Sequence, residues 1–124
     1  MGIEHHVFAS ESRNGILTIR PHGDAVGFRD SDIDSDVTTL RQEIAGLKSP
    51  FVIADLSEAR YFGSVIMGAI NLLGQDARKA GGEMVLCGAS PEMKKMLEVT
   101  GLLGLWMHFD DYKTALRAGQ AARK

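Results

Sequence analysis

The sequence predicts one α/β domain built on a mixed, mostly parallel sheet of about five strands, opened by an N-terminal hairpin and accompanied by about four helices. Three observations carry that prediction. Asn14-Gly15 sits between two β-rich segments, and this dipeptide tolerates the positive φ angles of a two-residue hairpin turn. Two short apolar runs, Phe51-Val52-Ile53-Ala54-Asp55-Leu56 and Glu83-Met84-Val85-Leu86-Cys87, read as strands buried on both faces. Stretches of helical periodicity lie before, between and after these runs, and strands joined through a helix pair in parallel.

Taken in order, about His5 to Ser10 and Ile16 to Pro21 read as the hairpin strands, with Val7, Ala9, Leu17 and Ile19 on the buried face. Ile33, Val37, Leu40, Ile44 and Leu47 then recur at helical spacing, with Ser31, Asp32 and Ser35 as available N-caps and Gly46 near the end. Lys48-Ser49-Pro50 breaks that helix ahead of the first buried run. From Val65 to about Lys79, Ile66, Ile70, Leu73 and Ala77 line one face of a second, longest helix, while Asn71, Gln75, Asp76, Arg78 and Lys79 mostly lie off it. Gly81-Gly82 ends it. Ser90-Pro91-Glu92 starts a third helix, because Ser can cap while Pro at the first helical position gives up no needed hydrogen bond. Met93, Met96 and Leu97 face inward until Gly101. Leu105 to Phe109 forms a last strand, and Asp110 or Asp111 can cap a closing helix carrying Tyr112, Ala115 and Leu116. The domain is expected over residues 1–117, with 118–124 a fraying, weakly basic tail.

A chain of 124 residues, 44% hydrophobic and 24% charged, is long and apolar enough to bury one core. Fourteen basic and sixteen acidic side chains leave a net charge of −2 without a basic run, so nucleic acid is not an expected partner. Cys87 is the single cysteine, which precludes an intrachain disulfide. No apolar run approaches the roughly 18 residues of a spanning helix, and the start lacks a signal-like pattern. Met1-Gly2 is followed by His6 where myristoylation wants Ser or Thr. A soluble, cytoplasmic protein is the expectation.

Asp30, Asp32, Asp34 and Asp36 alternate, but an EF-hand loop counted from Asp30 needs Gly where Ser35 stands and Glu where Arg41 stands. They read as solvated charges near the positive end of the first helix. His5, His6, His22 and His108 lack metal-ligand spacing, so no metal and no cofactor is expected. Cys87 reads as a small buried hydrophobe. Asp55, late in a central strand, sits where a phosphoaspartate receiver carries its acceptor, yet the companion acidic pair and lysine of such a site are missing. It reads as a turn or hydrogen-bonding residue, and a small enzyme or receiver using Asp55 is the alternative from another class. Tyr61-Phe62-Gly63-Ser64 joins the most buried strand to the longest helix and places a hydroxyl at the expected N-cap.

Asp55-Leu56-Ser57, the approach to Ser64, Gly81 to Cys87, Ser90-Pro91 and Gly101-Leu102 together resemble the STAS domains of bacterial anti-sigma-factor antagonists, from about Phe51 to Leu116. The resemblance implies a non-enzymatic partner switch. The unphosphorylated antagonist binds an anti-sigma factor with serine-kinase activity, phosphorylation of one serine breaks the complex, and a serine phosphatase is a further partner. The family serine aligns with Ser64, in a segment reading Gly63-Ser64-Val65-Ile66 where the family has Asp-Ser-Ser-Gly. Gly63, Ser64, Val65, Met67 and Gly68 form the expected docking patch, joined by Gly23 and Asp24 from the loop that lies beside it in similar domains. A phosphorylation-independent STAS scaffold or sensor module is the alternative within the family. The sequence leaves the oligomeric state open.

Overall fold

A computed structural model describes residues 2–4, 7–22, 30–58 and 64–122, with the backbone alone described at 2–4, 30, 31 and 64. Strands β1 (Gly2–Glu4), β2 (Phe8–Arg13) and β3 (Ile16–Pro21) precede helix α1 (Asp30–Ala45). Then come β4 (Phe51–Asp55), α2 (Ser64–Lys79), β5 (Glu83–Cys87), α3 (Pro91–Val99), α4 (Leu102–Leu105), β6 (Met107–Phe109) and α5 (Tyr112–Ala122). One sheet runs β1-β2-β3-β4-β5-β6, with the first two pairings antiparallel and the other three parallel. This is the mixed, mostly parallel sheet that the sequence implied, with a short edge strand and a one-turn helix added. No helix among the described residues is long and apolar enough to cross a membrane.

The alternation along the central strands assigns the helices to two layers. Val52, Ala54, Met84 and Leu86 join Leu17 and Ile19 in a core covered by α1, α2 and α3, which contribute Leu40, Ile44, Ile70, Leu73, Met93 and Leu97. On the opposite face, Ile16, Phe51, Ile53, Val85 and Cys87 meet α5 through Ala115, with Tyr112 and Leu116 packed against them. All five residues of β4 are buried, as a strand covered on both sides requires.

Local chemistry fixes the turns. Asn14 and Gly15 take φ of 53° and 81°, as a two-residue hairpin turn demands. Gly81, at φ 85°, closes α2: its amide donates to the Arg78 carbonyl while that of Gly82 donates to Ala77, the paired bonds of a Schellman cap. A Cβ on Gly82 would lie 1.8 Å from the Pro50 carbonyl oxygen, so only glycine lets α2 turn into β5 against the start of β4. Ser90 accepts from the Met93 amide at 3.1 Å with Pro91 opening α3. Asp111, rather than Asp110, caps α5 by accepting from the Thr114 amide at 2.8 Å.

Four expectations change. The hairpin is two strands tight against Asn14-Gly15, so β2 begins at Phe8 and pairs Ser10 with Ile19 and Ala9 with Arg20. That register moves Phe8 and Ser10 onto the core face in place of Ala9, since a one-residue slip inverts every side chain of a strand. His5 and His6 lie outside the described residues. Second, α1 starts at Asp30, which leaves Ser31, Asp32 and Ser35 all inside the helix instead of at its cap. Third, Asp36 is not solvated: it is 3% exposed, and its carboxylate accepts from the amides of Val7 at 2.6 Å and Phe8 at 3.1 Å. Helical spacing puts Asp36 on the same stripe as Ile33, Leu40 and Ile44, facing the sheet. Fourth, α5 continues to Ala122, beyond the expected boundary at 117. Its Ala-rich end favours helix, and buried Gly119 lies against Phe51.

Asp36→Ala is expected to lower unfolding stability by about 3 kcal/mol, because it strips the acceptor from two amides at the start of β2. Exposed Asp34→Ala should stay within about 0.5 kcal/mol of wild type. Urea titrations of the two variants check this.

Candidate functional site

The parallel strands deliver their carboxyl ends to one rim, and the side chains there are held by short-range bonds. Asp55, the last residue of β4, is 3% exposed. Its Oδ2 accepts from Arg20 Nε at 2.8 Å, and its Oδ1 accepts from the Ser57 amide at 3.1 Å. Both oxygens are engaged, which is the turn and hydrogen-bonding role expected of it; attack on a phosphoryl donor would first have to break an ion pair. The Leu56 amide donates to the Cys87 carbonyl at 2.8 Å, and the Gly88 amide to the Phe109 carbonyl at 3.2 Å. The rim from β4 to β6 is thereby cross-linked.

Cys87 is fully buried. Burial, with the Asp55 charge adding to it, pushes its thiol up to about 12, so it stays protonated and is no nucleophile at neutral pH. His108, half-buried on β6, accepts from the Ala89 amide through Nε2 at 3.3 Å. Burial first and the nearby Lys94 charge second hold this imidazole below its ordinary value of 6.5, against a smaller opposing effect of Asp110.

Helix α2 begins on Ser64, one residue before the expected start at Val65, so Ser64 is the first helical residue and not the N-cap expected of it. Val65, in the next position, is 56% exposed. Gly68 is exposed as well, and a Cβ there would meet no atom within 4 Å. Met67 behaves differently: it is 4% exposed and belongs to the core with Ile66 and Ile70, because the inward stripe of α2 is broader than the positions 66, 70, 73 and 77 read from the sequence. Gly23, Asp24 and Gly63 lie outside the described residues, so of the expected patch only Val65, Met67 and Gly68 have described side-chain positions, and of these Val65 and Gly68 are exposed.

The fold adds residues that the sequence did not single out. Met67 and Gly68 border a recess of about 230 Å³ shared with Asn71 of α2, Met96 and Thr100 of the α3 end, and Leu102 of α4. Asn71 accepts from the Trp106 indole N–H at 3.0 Å, tying α2 to the chain entering β6. Its position four residues after Met67 was the available signal. The contributions from α3 and α4 had none, since they depend on how the helices pack. The first turn of α2 carries no acidic side chain, and among the described residues no cluster of His, Cys, Asp or Glu could hold a metal ion.

The family model described as the STAS domain matches residues 8–115. Among curated proteins, none matches the chain in sequence. Similar solved structures include a STAS-domain anti-sigma-factor antagonist protein from Planctomyces limnophilus, 21% identical, covering 91% of this chain and 97% of that one with a TM-score of 0.76. The Bacillus cell-fate determinant SpoIIAA in its phosphorylated form is 18% identical, with coverages of 90% and 98% and a TM-score of 0.67. The STAS domain of a SulP transporter from Vibrio cholerae is 13% identical, with coverages of 86% and 80% and a TM-score of 0.68.

Two measurements check the rim. A thiol reagent should leave Cys87 unlabelled in the native protein and label it once urea unfolds the chain. For His108 the folded value lies below the unfolded one, so the unfolded chain takes up the proton first as pH falls through 6.5. The contribution of His108 is complete above that pH and declines below it. Thermal melts at pH 7.5 and 5.5 should show a larger loss for wild type than for His108→Gln, which can still accept a hydrogen bond but gains no proton.

Proposed function

Because the chain belongs to the STAS-domain family, we propose that it works without catalysis as an anti-sigma-factor antagonist, docking an anti-sigma factor with serine-kinase activity at the start of α2. The observation that carries this reading is the open first turn of that helix. Val65 and Gly68 project from it into unobstructed space, next to the serine that opens it. Gly23, Asp24 and Gly63 complete the docking surface in this proposal, and Met67 supports it from beneath.

Ser64 is the proposed switch. A phosphoryl group adds roughly −1.5 to −2 charges and three acceptor oxygens. At a helix N-terminus whose first turn holds no carboxylate, the free amides and helix dipole favour that charge. The isolated domain would therefore stay folded when phosphorylated. In the complex, the same group would be stripped of water against the partner surface, which costs several kcal/mol unless it is paired. Release then comes from the interface and not from unfolding, and a serine phosphatase restores the docking form. The similar Bacillus protein, solved in a phosphorylated form, supports a phosphorylated state compatible with this fold.

A second reading is a phosphorylation-independent STAS module. The likeness to a transporter's STAS domain favours it, as do Gly63, Val65 and Ile66 around the serine. Binding measured against the cognate anti-sigma factor separates the two. Under the switch, Ser64→Asp weakens binding at least about tenfold, Ser64→Ala binds like wild type, and ATP releases wild type alone. Equal binding of Ser64→Asp with no phosphate at Ser64 by mass spectrometry sinks the switch and leaves the docking surface. Val65→Asp and Gly68→Glu, both in open space, are expected to abolish docking under either reading while melting like wild type.

A further inference from the structure

On the α5 side of the sheet, away from α2, the molecule contains a second concave site. Helix α5 covers β4 and β5, and the half of the sheet formed by β2 and β3 is left beside it as a cleft of about 400 Å³. That volume lies toward the lower end of the roughly 300–1,000 Å³ of small-molecule sites. One wall is an α5 stripe at four-residue spacing, Tyr112, Leu116 and Gln120, and the other is the hairpin face carrying Glu11 and Arg13. The hairpin register sets Glu11 opposite Thr18 and Arg13 opposite Ile16, so charged rim and mixed floor are fixed by the strand pairing.

The chemistry of this lining is specific. Ile16 and Leu116 give an apolar surface, and Ile16 is 6% exposed. Thr18 Oγ1 and the Tyr112 hydroxyl are 3.0 Å apart. Two hydroxyls carry two hydrogens and their mutual bond uses one, so one O–H remains to donate into the cleft. Arg20, stacked 4.8 Å from the Tyr112 ring centroid, is already committed to Asp55. Among the described residues Glu11 and Arg13 make no ion pair within 4 Å, and the Arg20 charge acts on Glu11 only from a distance.

We propose that this cleft binds an apolar α-amino acid, with its ammonium on Glu11, its carboxylate on Arg13 and the spare hydroxyl, and its side chain across Ile16 and Leu116. Opposite charges two positions apart on one strand face select a zwitterion. A ligand with one charge would leave either Glu11 or Arg13 covered and unpaired, which is unfavourable. The site is independent of the docking surface on α2, since the sheet separates them.

Titration of the labelled protein with L-phenylalanine, followed by amide chemical shifts, tests this. Saturable shifts centred on Ile16, Thr18, Tyr112 and Leu116 are expected. Phenethylamine and 3-phenylpropionate, each lacking one charge, should bind at least about tenfold more weakly, as should L-phenylalanine to Glu11→Gln and to Arg13→Gln. Both variants alter exposed side chains, and their unchanged spectra elsewhere would confirm the fold. No saturable shift with either phenylalanine or leucine overturns the proposal. So does equal binding of the single-charge analogues, or indifference to both variants. Shifts at the cleft that grow with protein concentration alone would assign the face to a second copy and equally overturn it.

Discussion

The carboxylate of Asp55 ends a strand that has no wet side, and much of the architecture follows from keeping that charge paired. A buried, unpaired carboxylate is unfavourable by several kcal/mol. Here it is held by Arg20 from β3 and by the Ser57 amide in the turn that follows. Arg20 in turn lies over the ring of Tyr112 on α5. One charge in the middle of the sheet thus links a neighbouring strand, the helix on one face and the departure of the chain toward the helix on the other. The bond to the Ser57 amide fixes the direction in which the backbone leaves β4.

How much of this was legible depends on the range of the interaction. Asn14-Gly15, Gly81-Gly82, Ser90-Pro91 and Asp111 act within a few residues, and each does what its local chemistry implies. The buried runs of β4 and β5 were equally readable from composition. The phase of β2 was not, because an apolar-polar alternation with Val7, Phe8 and Ala9 in succession supports either face until the turn pins the register. Asp36 was read by its charge, although its place on the inward stripe of α1 was the stronger signal. Of the candidate site, the start of α2 to within one residue and the exposure of Val65 and Gly68 were in the sequence. The burial of Met67 and the recess shared with Met96, Thr100 and Leu102 arise from three helices meeting, which no local pattern encodes.

The two faces of the sheet are covered differently. Helices α1, α2 and α3 seal one face with an apolar core, so what that side offers to a partner is helix surface and the rim of strand ends. On the other face α5 stands alone among the described elements, and the strands of the hairpin keep polar groups toward it. The proposed docking surface and the proposed ligand cleft therefore lie on opposite sides of the sheet, joined through β3, which carries Thr18 on the cleft side and Ile19 in the opposite core.

The strand order has a kinetic meaning. Every strand pairs with the one before it in the chain, so the sheet can lengthen one strand at a time in the order of synthesis, without waiting for a distant segment to return. Only the antiparallel pairings, as of β2 with β3, are short-range; each parallel pairing waits for a helical crossover, as between Ile16 and Phe51 or Phe51 and Glu83, so those edges stay unpaired for longer. The layer formed by α5 comes last: it lies at the end of the described chain and supplies Ala115 to cover Ile53 and Val85. Until that helix emerges, the central strands present an apolar face to solvent, and the nascent domain is most vulnerable to misassembly on the face that later carries the cleft.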